Sequence, residues 1–485
     1  MDMILIPVVN MTPILPEIFL SVLAMALLLI NVFAPAGQKS YLAYISFIGI
    51  VAAAVLVGAG WGQHIESFGG SVVLDNFATF FKMTFLVAAG LTVLITDKYM
   101  EREECNHGEL YSLILFAVVG MMLMASGTDL MTIFLGLEVM SVTLYVLAGF
   151  NRGNKKSNEA GLKYFMLGAF STGFMLYGMA LIYGATGTTR LYKIAEVVGQ
   201  MTLPSTNIML VAGMLLMMTG FAFKIAAAPF HMWTPDVYEG APTPMTAFMS
   251  AGPKAAGFAA LLRLFLVALP TLQVEWSQVL WVLAVLTMTV GNITALRQDN
   301  IKRVLAYSSI AHAGYALVGF AAANGTGTAG ILFYMLSYSF MNIGAFAIII
   351  LVSKKGETNG NVSDYAGLGF KRPLLALVMT IFLFSLAGVP PAAGFIGKFY
   401  LFSGAIQEGY IWLAVIGVLN SAASVYYYLR IMVYMYFKES TEDFEWVKVT
   451  APVALALVIA VAGTLILGIV PSVVLEYAQM AVKLL

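Results

Sequence analysis

Long apolar stretches recur from one end of the sequence to the other, and they restrict the chain to very few folds. A helix needs ~20 mostly apolar residues to cross a bilayer. In lipid, only helices and closed barrels satisfy every backbone polar group, and runs of this length favour helices. The sequence therefore predicts an all-α polytopic membrane protein with about fourteen transmembrane helices, at residues 13–34, 41–61, 76–96, 110–126, 130–150, 160–184, 206–226, 243–267, 277–297, 301–322, 327–353, 374–405, 411–437 and 449–470.

The basic residues between these spans give an independent test of the count. When the loops are numbered from the amino terminus, the even loops and both termini together hold only Arg190, Lys193 and Lys483. The odd loops hold Lys39, Lys98, Arg102, Arg152, Lys155, Lys156, Arg297, Lys302, Arg303, Lys354, Lys355, Lys371, Arg372, Lys438 and Lys448. Cytoplasmic loops carry an excess of Lys and Arg, so the odd loops are predicted to be cytoplasmic and both termini periplasmic. We call the two faces of the protein the odd-loop end and the even-loop end.

The composition argues against a redox centre in this chain. Cys105 is the single cysteine among 485 residues, so neither a disulfide nor an iron–sulfur cluster can form within it. No strand-like alternation precedes a glycine-rich nucleotide motif. The formal net charge is zero, which gives no reason to expect a nucleic-acid partner. We expect no metal and no bound cofactor.

Several charged residues lie within the predicted spans. Lys82, Arg263 and Arg430 are close enough to a span end for their long side chains to reach the membrane interface. Lys163 follows Glu159 by four residues, the spacing of a helical ion pair.

Four other charges lie too deep for that explanation. Glu138 is about nine residues into the fifth span, roughly 13 Å deep at 1.5 Å per residue. Lys254 also lies in mid-span, and Lys224 and Lys398 lie beside prolines. Charges at such depth usually face a bundle interior or a water path. A structural ion pair is the alternative, although three deep lysines exceed what one carboxylate can pair.

Deep lysines suit proton transfer. Burial favours loss of the lysine proton, and a carboxylate close by favours its retention, so a partner that approaches or withdraws would switch the site. Histidine can relay between such sites because it titrates near neutral pH. Only His231 and His312 lie at possible membrane depth.

Prolines interrupt two of the spans, and each interruption carries a lysine. Lys224 lies five residues before Pro229 in the seventh span, and Lys398 lies seven residues after Pro391, which follows Pro390, in the twelfth. The two spans run in opposite directions because they are five helices apart. This pattern predicts two inverted five-helix repeats, spans 4–8 and 9–13, each with a broken helix. Pro229 would free the carbonyl of Ile225 and let water reach Lys224.

The predicted organisation is therefore in four parts. The first three helices occupy residues 1–108, the two repeats occupy residues 109–268 and 276–438, and the last helix occupies residues 439–485.

Five stretches together resemble a known family. They read FLGLEVMS, NEAGLKYFMLG, HMWTPDVYEGAPTPMTAF, NIKRVLAYSSIAHAGY and AGVPPAAGFIGKFY. They are similar to the antiporter-like membrane subunits of bacterial NADH:quinone oxidoreductase, respiratory complex I, over essentially the whole chain. The resemblance implies proton translocation in the bacterial inner membrane, driven by quinone chemistry elsewhere in the complex. NADH, FMN, iron–sulfur clusters and quinone would be held by other subunits, and the partners would be neighbouring antiporter-like and small membrane subunits.

The resemblance also implies roles for individual residues. Glu138 would pair with Lys224, and Lys254 would connect this pair to the second repeat. The row would continue through His312 to Lys398, with Lys163, Lys302 and His231 assisting proton access. A multi-subunit Na⁺(K⁺)/H⁺ antiporter is the alternative function, and a purely structural scaffold is a third.

Overall fold

The structure is a computed structural model that describes residues 10–33, 39–439 and 449–483. Lys448, expected in an odd loop, and Leu485 lie outside these ranges. The helices are α1 (Leu15–Phe33), α2 (Ser40–Gly58), α3 (Asn76–Arg102), α4 (Glu109–Ser126), α5 (Leu130–Ala148), α6 (Lys155–Thr186), α7 (Leu191–Gly199), α8 (Ile208–Lys224), α9 (Trp233–Gly240), α10 (Thr243–Arg263), α11 (Gln273–Ala295), α12 (Ile301–Ala322), α13 (Gly325–Val352), α14 (Leu368–Lys371), α15 (Pro373–Ala387), α16 (Ala393–Gln407), α17 (Ile411–Phe437), α18 (Ala451–Ile469) and α19 (Ser472–Val482). Five residues of π-helix, Leu264–Ala268, continue α10.

The predicted spans are confirmed. Twelve helical segments in the described ranges are long and apolar enough to cross a membrane unbroken. Two shorter apolar helices, α8 and α15, are the first halves of the seventh and twelfth spans. Together they make fourteen, so the chain is an all-α, multi-pass membrane protein.

Some elements have no counterpart in the predicted spans. A small antiparallel hairpin, β1 (Ile65–Ser67) and β2 (Val72–Leu74), connects α2 to α3. Three residues per strand are too few to give a visible alternation in the sequence, and the hairpin leaves the all-α class unchanged. The short helices α7, α9, α14 and α19 also fall outside the predicted spans.

Helix starts follow from local sequence. Aspartate or asparagine stands immediately before six helices, and its side chain accepts a hydrogen bond from a backbone N–H of the first turn. These residues are Asp75, Asp129, Asn154, Asn207, Asn300 and Asn324. Each cap satisfies donors that have no partner within the helix, which is worth ~1 kcal/mol.

The loops separate into two groups, as an alternating bundle requires. At the odd-loop end, Arg102 donates to the carbonyl of Ser353, and Lys302 pairs with Glu357. At the even-loop end, the backbone of Asp129 forms a bridge with Arg190. In each of these contacts an odd loop meets an odd loop or an even loop meets an even loop.

Two equivalent backbone bridges mark the inverted repeats. Asp129 before α5 pairs with Arg190 after α6, and Asn300 before α12 pairs with Asn361 after α13. The separations, 190 − 129 and 361 − 300, are both 61 residues. The fold thus repeats membrane spans 4–8 (α4 to α10) as spans 9–13 (α11 to α17). The limits of the four predicted parts stay a prediction.

Both broken helices stop in the same way. After α8, Ala226 has φ +60°, and the N–H groups of Ala226 and Ala227 bond back to the carbonyls of Phe223 and Ala222. After α15, Gly388 has φ +86°, and Gly388 and Val389 bond back to Ser385 and Phe384. Both are Schellman caps, in which a left-handed residue turns the chain away from the helix axis.

The predicted cause of the first break needs correction. Helix α8 has already ended at Lys224, five residues before Pro229, and α9 begins only at Trp233. The Schellman cap ends the helix, and Pro229 lies inside the connecting segment. Replacing Pro229 alone would therefore restore no continuous helix. Pro229, Pro390 and Pro391 are all exposed on the surface of the chain.

Candidate functional site

Lys224 is the last residue of α8, and its amine points into the bundle. The residue is 5 % exposed, and its Nζ donates to the Ser141 hydroxyl of α5 at 2.6 Å and to the Tyr145 hydroxyl at 3.4 Å. The amine also lies 5.3, 5.8 and 5.6 Å from the ring centres of Tyr145, Tyr164 and Phe223. Three aromatic rings and a hydroxyl thus take the place of a counter-ion in contact.

Glu138 does not pair directly with Lys224, which corrects the pairing expected from the resemblance. The Glu138 carboxylate accepts a hydrogen bond from Thr172 of α6 at 3.0 Å, and the residue is only half-buried. Lys224 reaches α5 at Ser141, three residues further along the helix. Glu138 precedes Ser141 by three residues on α5, so the carboxylate lies about one helical turn along α5 from the residue that holds the amine. The two groups are therefore neighbours that attract each other without contact.

Lys254 crosses between the repeats. It lies in the middle of α10, is 3 % exposed, and its Nζ donates to the main-chain carbonyl of Ser309 in α12 at 2.5 Å and to the Ser309 hydroxyl. The ring centre of Tyr338 in α13 is 5.7 Å away. Because α10 closes the first repeat and α12 belongs to the second, this lysine makes a direct contact between the repeats, and its role in the row stays a prediction.

His312 lies one turn further along α12 and is fully enclosed. Its Nδ1 is 2.5 Å from the Tyr334 hydroxyl, and its Nε2 is 3.1 Å from the Tyr428 hydroxyl. Tyr428 also bonds the Ser308 hydroxyl. A ring with both nitrogens bonded to hydroxyls can accept a proton on one side and release one on the other.

Lys398 lies on α16, the second half of the twelfth span. It is 4 % exposed, and its Nζ donates to the carbonyls of Leu386 and Ala387, both at 3.1 Å, and to the Ser421 hydroxyl at 2.9 Å. The ring centre of Tyr315 is 4.6 Å away. The two carbonyls end α15, so the lysine stabilises the carboxyl end of the first half-helix.

The three deep lysines share one property. None of them forms an ion pair with any described residue, whereas other buried cations do. Lys82 pairs with Glu17 at 2.6 Å and Arg263 with Asp75 at 2.8 Å, both fully buried. Lys82 and Arg263 therefore each have a buried carboxylate partner that a linear sequence does not reveal, and their reach to the membrane interface stays a prediction.

The other interfacial cation behaves differently. Arg430 is partly exposed, donates to the main-chain carbonyl of Gln298 and lies 3.7 Å from the exposed Asp299 carboxylate. It is therefore held at the odd-loop end, close to the position expected for it.

The three residues expected to assist proton access lie apart from one another. Lys302 pairs with Glu357 at 2.9 Å and donates to the carbonyl of Ala241. Lys163 pairs with Glu159 at 2.6 Å, as predicted, and with Asp236 at 2.8 Å. His231 lies half-buried in the connection between α8 and α9, and the structure does not bring it to the lysine row.

Sequence reasoning missed the carboxylates that join the repeats. Asp236 and Glu239 of α9 both pair with Arg303 of α12, at 2.8 and 3.0 Å. Glu239 also pairs with Lys156 of α6 at 2.8 Å. The three-residue spacing of Asp236 and Glu239 within WTPDVYEGAPTP was a usable signal, because it places both carboxylates on one helix face.

The described residues contain no group of three or more His, Cys, Asp or Glu side chains that could hold a metal ion. The buried row is instead made of amines, one imidazole and hydroxyls. Such groups bind and pass protons, and they offer no site typical of a metal.

Fold and site together match a known class. The chain superposes with a TM-score of 0.84 on a chain of the Mrp complex from Dietzia sp. DQ12-45-1b, at 20 % identity and 97 % coverage of both chains, which shows the shared fold. Two repeats, two broken helices and a buried row of lysines define the chain as an antiporter-like membrane protein.

Sequence comparison gives the family. A family model described as NADH:quinone oxidoreductase/Mrp antiporter, TM matches residues 127–424. The chain is 73 % identical to NADH-quinone oxidoreductase subunit N of Trichlorobacter lovleyi over 98 % of both sequences. It is 35 % identical to a chain of respiratory complex I from Thermus thermophilus, with a TM-score of 0.82 and coverage of 95 % and 99 %. The chain belongs to the NADH:quinone oxidoreductase/Mrp antiporter family and, within it, to subunit N of NADH-quinone oxidoreductase. The resemblance to complex I is confirmed over the cation-antiporter alternative.

Proposed function

We propose that this chain moves protons across the membrane along Glu138, Lys224, Lys254, His312 and Lys398, driven by quinone reduction in other subunits of the complex. The observation that carries this proposal is the row of three buried lysines without a counter-ion in contact. A lysine held charged at such depth costs several kcal/mol, and pairing or water normally offsets that cost. A lysine that can become neutral escapes it, so these positions favour proton exchange.

The broken helices stabilise positive charge at two of these lysines. Lys224 is the last residue of α8, and the Lys398 amine reaches the carboxyl end of α15; unsatisfied carbonyls at both places attract positive charge. Moving one charge through 100 mV costs ~2.3 kcal/mol. Opening or closing an interaction at 4 Å in a medium of dielectric 20 changes the energy by ~4 kcal/mol, which is enough to drive such a step.

Glu138 acts in this proposal as a gate at the edge of the chain. Its carboxylate is half-buried and held by Thr172, so a small rearrangement of α5 and α6 would bring it closer to Lys224 or move it away. Approach favours a charged lysine, and withdrawal favours release of the proton.

The surroundings of the chain are part of the proposal. The odd-loop end faces the cytoplasm and both termini face the periplasm, as the distribution of basic residues indicates. The neighbours are other membrane subunits of the complex, and this chain holds no redox cofactor. Reporter fusions after Arg152 and at Leu485 test the orientation, and a cytoplasmic reporter signal at Leu485 would contradict it.

The test is Lys254→Met in the assembled complex, with Glu138→Gln beside it. Both replacements keep the side-chain shape and remove the charge. We expect proton uptake by reconstituted complex to fall by about tenfold for Lys254→Met and less for Glu138→Gln, which is peripheral. Lys483→Ala, at an exposed site, is the control. Normal pumping by assembled Lys254→Met complex would refute the lysine row as the proton path.

A further inference from the structure

A second line of polar residues leads from the odd-loop end to Lys254. On α10, Thr243, Thr246, Ser250 and Lys254 follow one another at intervals of three, four and four residues. This spacing places them on one face of the helix, each about 5 Å from the next. The face is directed toward α13, because Asn342 of α13 donates to the Ser250 hydroxyl at 2.5 Å and the Tyr338 ring lies 5.7 Å from the Lys254 amine.

Two polar atoms on α13 lack a partner at this contact. Asn342 is fully buried, and its Oδ1 accepts no hydrogen bond from any described residue. Tyr338 is 1 % exposed, and its hydroxyl lies near Ser309 but forms no hydrogen bond of normal geometry with any described residue. Buried polar atoms are almost always hydrogen bonded to protein or to ordered water. Two unpartnered atoms one helical turn apart, beside a lysine, are therefore suited to hold water.

The helix itself adds polarity at the same level. Pro253 lies inside α10, immediately before Lys254. Proline has no N–H, so the carbonyl of Met249, four residues earlier, receives no helical hydrogen bond. A free carbonyl next to Ser250 gives a further acceptor for water.

The outer end of this line opens into a cavity. A cavity of about 360 Å³ at the odd-loop end is lined by Thr243, Lys302, Glu357 and Tyr365, among others. Glu357 has φ +52°, a left-handed conformation that costs ~1–2 kcal/mol for a residue other than glycine. Bonds from Lys302, Tyr99 and Thr243 to its carboxylate compensate and hold it at the inner wall.

We propose that protons enter from this cavity and reach Lys254 through water held between α10 and α13 by Asn342 and Tyr338. Thr243, Thr246 and Ser250 line the intervening turns. This inference rests on the proposed function and assigns its uptake route, with Asn342 and Tyr338 as residues that position the water.

Two substitutions of Asn342 separate a water site from a packing contact. Leucine keeps the branched shape, with somewhat larger methyl groups, but removes both polar atoms, whereas serine loses volume but keeps a hydroxyl and room for water. In assembled complex in liposomes, we expect Asn342→Leu to lower the rate of proton uptake by about tenfold and Asn342→Ser to retain most of it. A packing role predicts the reverse order, and that result would overturn the proposal.

The matched control is Ser339→Ala. Ser339 is buried in the same helix, but its hydroxyl bonds the carbonyl of Met335 within α13, so its loss should leave uptake unchanged. If Asn342→Leu fails to assemble, proton uptake by Tyr338→Phe tests the route instead, because this change removes one hydroxyl and little volume. Reduced uptake by Tyr338→Phe would support the route, and unchanged uptake would overturn it.

Lys254→Met, measured in parallel, separates this route from the proposed function. Loss of uptake in Lys254→Met together with normal uptake in Asn342→Leu would refute the α10–α13 route alone. Normal uptake in Lys254→Met would refute the lysine row.

Discussion

The two broken helices end alike but hold their lysines differently. Lys224 is the last residue of its first half-helix, and its amine is held by side chains, namely the Ser141 hydroxyl and three aromatic rings. Lys398 stands on the second half-helix and reaches back across the break to two main-chain carbonyls. The first site therefore depends on side chains of neighbouring helices, and the second depends mainly on the backbone of its own broken helix.

This difference shows that one repeated fold can support two kinds of lysine. A side-chain cage can loosen when α5 or α6 shifts, so Lys224 is the site that responds to Glu138. A cap on the carbonyls of α15 changes only when the break itself changes shape. We infer that the first repeat is the more readily switched, and the four predictions below test that contrast.

The largest effect is expected from removing either amine. Lys224→Ala and Lys398→Ala should each lower coupled turnover by about tenfold or more, because both lie on one path. The double variant should be little worse than either single variant, since residues that act in series are not additive. Coupled turnover of assembled complex is the measurement, and effects that multiply would indicate two separate paths.

Arginine at either position belongs to the same experiment. Lys224→Arg should rescue poorly because arginine does not lose its proton in proteins. Full rescue would mean that only the positive charge is needed at Lys224.

The residues that turn the chain at the breaks should give the next largest effect. A Cβ on Gly388 would lie 3.2 Å from the Lys398 amine and 3.1 Å from its Cδ, at φ +86°. Gly388→Ala should therefore destabilise the fold by ~1–2 kcal/mol and displace the amine. At the first break, Ala226→Gly relieves a left-handed alanine but adds unfolded-state entropy, so stability should change little. Thermal unfolding and proton uptake should be measured for both variants. Equal losses of stability and uptake in Gly388→Ala and Ala226→Gly would mean that the two breaks do not differ.

A smaller difference is expected from the two serine partners. Ser141→Ala removes the shorter of the two side-chain hydrogen bonds to Lys224, whereas Ser421→Ala leaves Lys398 two carbonyls. A hydrogen bond to a charged group is worth ~1.5–3 kcal/mol, so Ser141→Ala should alter the pH profile of coupled turnover more than Ser421→Ala. If Ser421→Ala has the larger effect, backbone carbonyls do not dominate the second site.

The smallest expected difference between the two repeats is their response to acid. Burial raises the pKa of Glu357, but Lys302, Thr243 and Tyr99 outweigh it and hold that pKa below its ordinary 4.5. The stabilisation is therefore complete above pH 4.5 and is lost as the pH falls through the lower folded value. Thr186, the last residue of α6, occupies the corresponding place in the first repeat, so only the loop at residues 354–360 should loosen. Hydrogen exchange measured across this pH range should show it, and Glu357→Gln should abolish the acid dependence.

Much of this arrangement could be predicted from sequence. Helix length and loop charge predicted fourteen spans because both follow from membrane thickness and local composition. The depth of single charges within the spans, and their closeness to prolines, predicted that Lys224, Lys254 and Lys398 are buried. Those signals are local, and they require no knowledge of which helices touch.

The partners of the buried charged residues could not be predicted, because they depend on contacts between segments that are distant in the sequence. Arg263 and Asp75 are 188 residues apart, and the sequence contains nothing that joins them. The family resemblance placed Glu138 against Lys224, whereas Ser141, one turn away on α5, is the residue in contact. Asn342 was missed because a single asparagine in an apolar helix shows its importance only when its neighbours are known.

The exposed prolines of the two breaks have a consequence for the life of the newly made chain. Each break interrupts regular helical hydrogen bonding at an exposed position, and lipid offers backbone groups no hydrogen-bond partners, so a lone subunit would carry two positions that lipid solvates poorly. Neighbouring subunits that cover them would remove that cost. The chain should therefore be degraded quickly before assembly and become long-lived only inside the finished complex.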